Sequence, residues 1–333
     1  MCLNFSKYVF LLAMFVASNA MGFDIIAHRG ASGYLPEHTL EAASLAYGQS
    51  PDYIEQDVVI TKDGIPIVLH DIHLETVTNV ANRYPSRARA DKRFYALDFT
   101  LAELRTLNVN ERTNSDGDNV FANRYQGKNA QFKIATLVEH FELITELNRI
   151  YGQTIGVYPE VKSPAWHLEQ GVDASKIVID TLTTFNLHTA SAKSYLQCFD
   201  YNELKRIRND LGYEGKLVML IGENSWGESS TDYDWLRSEE GLEELAKVVN
   251  GVGPWIGQLL DPQQLKEGKV IPSPWVAWAH RHKLTMHPYT YRVDALPPGF
   301  NQQTLLDVLS NIVKVHGVFT DQVPPVKMWR NTQ

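Results

Sequence analysis

The stretch Tyr53-Ile54-Glu55-Gln56-Asp57-Val58-Val59-Ile60-Thr61-Lys62-Asp63-Gly64-Ile65-Pro66-Ile67-Val68-Leu69-His70 decides the fold. It reads as a strand, the turn Lys62-Asp63-Gly64, and a second strand. A connection this short joins antiparallel strands only, because a parallel crossover needs about a dozen residues or more. The run 66–70 is therefore excluded from any parallel sheet that contains 53–60. The exclusion matters because strand-like runs recur at 24–28, 53–60, 66–70, 155–161, 194–199, 216–221, 249–253, 284–289 and 317–320.

Without 66–70, eight runs remain, and helical patterns lie between several of them. Residues 38–49 put Leu40, Ser44 and Tyr47 on one face. In 200–211, Asp200 caps, Glu203 reaches back, and Leu204, Ile207 and Leu211 form the apolar side. In 302–316 the stripe is Leu305, Leu309, Ile312 and Val313. Strand–helix alternation predicts a parallel sheet under helices, and eight strands predict an α/β fold, the (β/α)8 TIM barrel. The segment from about 60 to 130 is then an insertion after the second barrel strand. It is polar and turn-rich, with one short capped helix at Thr100-Leu101-Ala102-Glu103. Such insertions project over the C-terminal face, where barrel active sites lie.

The 333 residues are 44% hydrophobic and 21% charged, which fits one large barrel or two domains. Residues 1–20 read differently. Lys7, the apolar run Tyr8 to Ala17 and Ser18-Asn19-Ala20 describe a secretory signal peptide with cleavage after Ala20. The mature domain is then 21–333, and its expected location is periplasmic, or secreted. The apolar run is too short to span a bilayer, and no other is longer, so no stable membrane insertion is expected. Cleavage removes Cys2 and leaves Cys198 without an intrachain disulfide partner. Cys198 sits in the strand-like run Tyr195-Leu196-Gln197-Cys198-Phe199 and is expected to be a buried packing residue. Loss of Lys7 moves net charge from −8 to −9, which argues against nucleic acid as a partner.

Four strand ends of this barrel converge on one mouth. Strand one brings His28 and Arg29, and strand two brings Glu55 and Asp57. Side chains two apart on a strand share a face, and two carboxylates pushed together repel unless a proton or cation lies between them. Strand three ends Tyr158-Pro159-Glu160-Val161-Lys162, so Glu160 and Lys162 also share a face, and His70 returns from the insertion. Glu55, Asp57 and Glu160 form an all-oxygen set suited to Ca2+, with Mg2+ as the alternative. Arg29 and Lys162 beside that cation suit a phosphate. His28 and His70 suit a general base and a general acid. Gln197, Phe199 and Tyr289 occupy inward or mouth-facing positions as substrate contacts. Other features read blandly. Arg83, Arg87, Arg89, Lys92 and Arg93 form a solvated basic face. Trp255, Trp275 and Trp278 belong to the core or the barrel mouth, and His167, His280 and His282 to surface or core.

The chain resembles the glycerophosphodiester phosphodiesterases of the periplasmic bacterial type. The matching strings are Ile26-Ala27-His28-Arg29-Gly30-Ala31, Pro36-Glu37-His38-Thr39, Glu55-Gln56-Asp57, Leu69-His70-Asp71, Tyr158-Pro159-Glu160-Val161-Lys162, Leu196-Gln197-Cys198-Phe199-Asp200 and His287-Pro288-Tyr289-Thr290. They fall between 26 and 290 in the family's order, and the resemblance spans 24 to about 321. The resemblance implies a barrel with an insertion after its second strand and hydrolysis of glycerophosphodiesters to an alcohol and glycerol 3-phosphate. It implies that His28 and His70 are the catalytic pair, that Glu55, Asp57 and Glu160 are metal ligands, that Arg29 binds phosphate and that Lys162 lies in the pocket. Many relatives carry asparagine where this chain has His38, which is read as supporting structure. The implied partners are small-molecule glycerophosphodiesters. A homodimer is the candidate assembly, and the resemblance does not fix it.

Two rivals remain at this point. A phospholipase of the same barrel type needs an apolar rim to meet a bilayer, whereas the insertion is rich in Arg, Asn and Asp. A surface binding protein that kept the barrel but lost catalysis would lack one of His28, Glu55, Asp57, His70 or Glu160, and all five are present.

Overall fold

The computed structural model describes residues 22–333, so the segment read as a signal peptide lies outside the described residues. Among the described residues nine strands occur, β1 (Asp24–Ala27), β2 (Tyr53–Ile60), β3 (Pro66–Val68), β4 (Gly156–Val161), β5 (Tyr195–Cys198), β6 (Lys216–Ile221), β7 (Gly251–Pro254), β8 (Thr285–Met286) and β9 (Gly317–Thr320). Eight of them run parallel in the order β8-β7-β6-β5-β4-β2-β1-β9. β3 lies off this path and pairs with β2, antiparallel, with Val58 opposite Val68 and Ile60 opposite Pro66. The short turn thus sets β3 apart from the eight parallel strands, as expected. β8 is shorter than the run 284–289, and Pro288 within that run has no N–H to give a ladder. The barrel still closes there, because His316 N–H donates to Met286 O, Phe319 N–H to Pro288 O and Tyr291 N–H to Phe319 O, at 2.9, 3.0 and 2.8 Å. The fold is the expected (β/α)8 barrel.

Strand periodicity fills the interior in layers. Ile26, Tyr53, Tyr158, Tyr195, Val218 and Phe319 form the closed lower layer, with Tyr158 and Tyr195 stacked at 4.8 Å. Two residues further along the same strands come His28, Glu55, Glu160 and Gln197, and Asp57, Lys162 and Phe199 follow above them. An aromatic plug thus seals one end, and charge collects at the C-terminal mouth. Cys198 faces outward from the barrel into the main hydrophobic core and is fully buried, as expected.

The insertion has its own core, built on Val59, Ile67, Leu74, Phe94, Phe99, Leu104 and Phe132. Its capping box at Thr100 and Glu103 forms as read. The basic cluster is not an unpaired face, since Arg87, Arg89 and Arg93 pair with Glu103, Asp98 and Glu75. Two helical faces also differ. The helix Leu40–Gln49 buries Ala42, Ala43, Ala46 and Tyr47, and leaves Ser44 exposed. The segment Val308–Val313 is a π-helical turn, whose wider winding shifts the phase and turns Ile312 out to solvent. Among the described residues, no helix is long and apolar enough to cross a membrane.

Candidate active site

All ten site residues read from the sequence line one cavity of about 250 Å³ at the barrel mouth. The turn after β1 begins the site. Arg29 and Gly30 both have left-handed backbone, with φ of +58° and +80°. A Cβ on Gly30 would stand 2.9 Å from the Ala42 carbonyl carbon, so the turn packs against the next helix only as glycine. This turn aims the Arg29 N–H at Glu55 Oε2, 2.6 Å away, and holds the Arg29 guanidinium over Asp57, with Nε 3.5 Å from Asp57 Oδ2. Nε is buried and has no hydrogen-bond acceptor, so the site holds an unsatisfied donor.

Each histidine is held by a carboxylate. His28 Nδ1 is 2.6 Å from Asp321 Oδ1, and His70 Nδ1 is 2.8 Å from Asp71 Oδ1. An ionised carboxylate only accepts, so Nδ1 carries the proton in both rings and Nε2 holds the lone pair. Burial, then the Arg29 charge, lowers His28 to about 4. Burial, then Arg29 and Lys162, lowers His70 to about 3. Both rings are neutral at pH 7 and can accept a proton.

Glu55, Asp57 and Glu160 are crowded, and the Asp57 charge acts on both glutamates. Burial, followed by Asp57, raises Glu55 well above the usual carboxylate range. Burial raises Glu160 despite Lys162 Nζ 2.8 Å away. Burial also opposes the Asp57 charge, but His70, His38 and Lys162 outweigh it. Three buried carboxylates so crowded call for a proton or a cation between them. His38, Glu55 and Asp57 have ligand atoms within 4.8 Å of one another. His38 Nε2 donates to Asp57 Oδ2 at 2.8 Å, and its φ of +62° lies in a region that His and Asn enter more readily than most residues.

The insertion closes the network in a way the sequence did not reveal. Arg112 donates to Asp71 Oδ2 at 2.8 Å and to both oxygens of Glu37, which also accepts from Arg29 Nη1 at 3.0 Å. Arg124 donates to Asp321 Oδ2 at 2.7 Å and grips Asp294 with two bonds. Arg292 Nε reaches the same Asp321 oxygen at 2.7 Å. Asp71 and Glu37 lay in quoted motifs and could have been singled out there. Nothing around Arg112 or Arg124 marks them.

The glycerophosphoryl diester phosphodiesterase family matches residues 28–324. The chain belongs to this family. A glycerophosphodiester phosphodiesterase of Haemophilus influenzae is 39% identical over 315 residues, covering 89% of this chain and 86% of that protein. One from Treponema pallidum is 34% identical over 304 residues, covering 86% and 85%. Among solved structures, a phosphodiesterase from Oleispira antarctica, in complex with its product sn-glycerol-3-phosphate, has a TM-score of 0.60 at 20% identity, covering 93% of this chain and 97% of that one. Family and fold therefore agree with the sequence reading, and the enzyme class is that of the glycerophosphodiester phosphodiesterases.

Proposed function

We propose that this chain hydrolyses glycerophosphodiesters to an alcohol and glycerol 3-phosphate, with a divalent cation held by Glu55, Asp57 and Glu160. The cation is Ca2+, with Mg2+ as the alternative, because the ligands are hard oxygens in a wide mouth. One arrangement carries the reading, in which two histidines with Nδ1 held by carboxylates face three crowded carboxylates and an unsatisfied Arg29 Nε across one cavity. When bound, the cation supplies positive charge for the phosphodiester oxygens. Arg29 and Lys162 add to it where charge grows in the transition state. The Nε2 of one histidine takes the proton of the nucleophile; the other histidine takes up a proton from solvent at Nε2 when the diester anion binds, and delivers it to the leaving alcohol oxygen.

The nucleophile in this reading is the glycerol hydroxyl beside the phosphodiester, which gives a cyclic phosphate that water then opens. Thr290 is the one aliphatic hydroxyl among the lining residues, and it bonds to neither histidine. An intramolecular hydroxyl has an effective molarity that reaches roughly 10^5 M or more. A substrate with hydrogen in place of that hydroxyl should bind and not turn over. Hydrolysis of it at the parent rate makes water the direct nucleophile.

The decisive experiment measures glycerol 3-phosphate release from several glycerophosphodiesters, with chelator and with added Ca2+ or Mg2+. No release under any condition overturns the reading. Export to the periplasm, or secretion, is part of the same proposal and rests on the run Tyr8 to Ala17. A mature protein beginning at Met21 in the exported fraction is the expected observation.

A further inference from the structure

The insertion holds a second cavity, of about 360 Å³, that shares no lining residue with the barrel mouth. Five carboxamides line it, from Asn79, Asn108, Asn110, Asn119 and Gln126. The asparagines that mark this segment of the sequence thus gather in one place, and the hydrolytic reading makes no use of them. Extended chain builds the floor. Thr78 bridges Val109 and Val109 bridges Phe132, with the Val109 N–H donating to Phe132 O at 2.9 Å. Asn108 and Asn110, two apart on this extended chain, share a face. Lys133 Nζ donates to Asn108 Oδ1, and Asn79 Oδ1 accepts the Asn108 N–H, each at 2.8 Å. Tyr125 and Phe132 add an edge-on ring pair with centroids 5.2 Å apart. These anchors leave other groups free. Among the described residues, Asn79 Nδ2, Asn108 Nδ2, Asn110 Oδ1, Asn119 Oδ1 and the Tyr125 hydroxyl have no hydrogen-bond partner.

The chemistry of this lining decides the occupant. Glu111 and Lys128 are its charged residues, one of each sign, so neither an anion nor a cation gains a net attraction. A metal ion needs convergent ligand atoms, and among the described residues the one such group of carboxylates and imidazole is at the barrel mouth. An apolar occupant would strand the free amide groups away from water. A sugar ring fits the set. Each of its hydroxyls donates and accepts, as each carboxamide does, and its C–H face packs on an aromatic ring. Glu111 lines the same cavity, is 8% exposed and has no partner for Oε2. Burial raises it to about 7 against the pull of Arg124, so near neutral pH its carboxyl also offers a donor.

We propose that this cavity of the insertion binds the pyranose ring of a neutral saccharide, at a site separate from the barrel mouth. Such a site stands whether or not the mouth hydrolyses diesters, so its test reads binding alone. Saturation-transfer NMR on the full chain measures binding of glucose, galactose, mannose and N-acetylglucosamine. At least one should bind saturably. Asn110→Ala should weaken that binding about tenfold. Asn119→Ala and Gln126→Ala change partly exposed side chains, so they should leave the thermal midpoint in place and still weaken the sugar. His28→Ala, at the mouth, should bind the sugar as the native protein does. Saturable binding of none of the four sugars overturns the site. Binding that persists in all three cavity variants, or is lost in His28→Ala, puts the sugar elsewhere and overturns it as well. Displacement of the bound sugar by inorganic phosphate or by a neutral tripeptide would make the cavity an anion or peptide site and would equally overturn the saccharide assignment.

Discussion

His28 and Asp321 are 293 residues apart in the chain, and His28 Nδ1 lies 2.6 Å from Asp321 Oδ1. The bond fixes the ring and its tautomer, and Arg124 and Arg292 hold the other Asp321 oxygen. Asp321→Asn should lower kcat by about 100-fold or more with little change in KM, because an amide also offers donors to Nδ1 and stops enforcing the tautomer. Arg124→Ala should lower kcat by about tenfold, with partial rescue by added guanidinium, since it acts through Asp321. A KM effect without a kcat effect in either variant would show that the aspartate and arginine serve binding instead.

His28→Ala and His70→Ala should each cost roughly 100-fold or more in kcat. Both residues sit at the mouth, so the thermal midpoint should shift little. The double variant should lose less than the product of the single losses, because the pair acts as a unit. Near-normal turnover in either single variant contradicts the two-histidine mechanism.

The pH profile should carry the mark of burial. His28 and His70 lie at about 4 and about 3, so their neutral, proton-accepting forms persist far below the 6.5 of a free histidine. With saturating cation, neither ring should give kcat/KM an inflection near 6.5. A bound phosphodiester anion favours the protonated ring, so the acid limb of kcat should lie at higher pH than that of kcat/KM. An inflection of kcat/KM at 6.5 would place the working histidine in water.

Thorough chelation should abolish activity, and Ca2+ should restore it. Glu55→Gln removes one of three crowded carboxylates, and should weaken cation affinity and lower turnover together. Wild-type cation dependence in that variant counts against Glu55 as a ligand.

Cys198→Ala should keep full turnover and lose about 1 kcal/mol of stability. The thiol is fully buried, and burial raises its pKa. Its sulfur accepts from the Asp200 N–H at 3.3 Å. Slow labelling of the native protein by a thiol reagent is the companion measurement, and rapid labelling would contradict the burial.

Much of the barrel is a local property of the chain. The turn Lys62-Asp63-Gly64 is too short for a crossover, so β3 had to pair antiparallel with β2 whatever lay elsewhere. The two-residue period puts Glu55 with Asp57 and Glu160 with Lys162 on shared faces, and strand ends bring them to the mouth. These features are legible because each depends on neighbours a few residues away. The supports are not. Asp321 meets His28 only once β9 closes beside β1, and Arg112 and Arg124 reach Asp71 and Asp321 only through the path of the folded insertion. Periodicity and spacing carry no information about contacts made across 41, 197 or 293 residues. The sequence alone therefore determined which side chains share the mouth. Tertiary structure decided which carboxylate holds each histidine and which arginine holds that carboxylate.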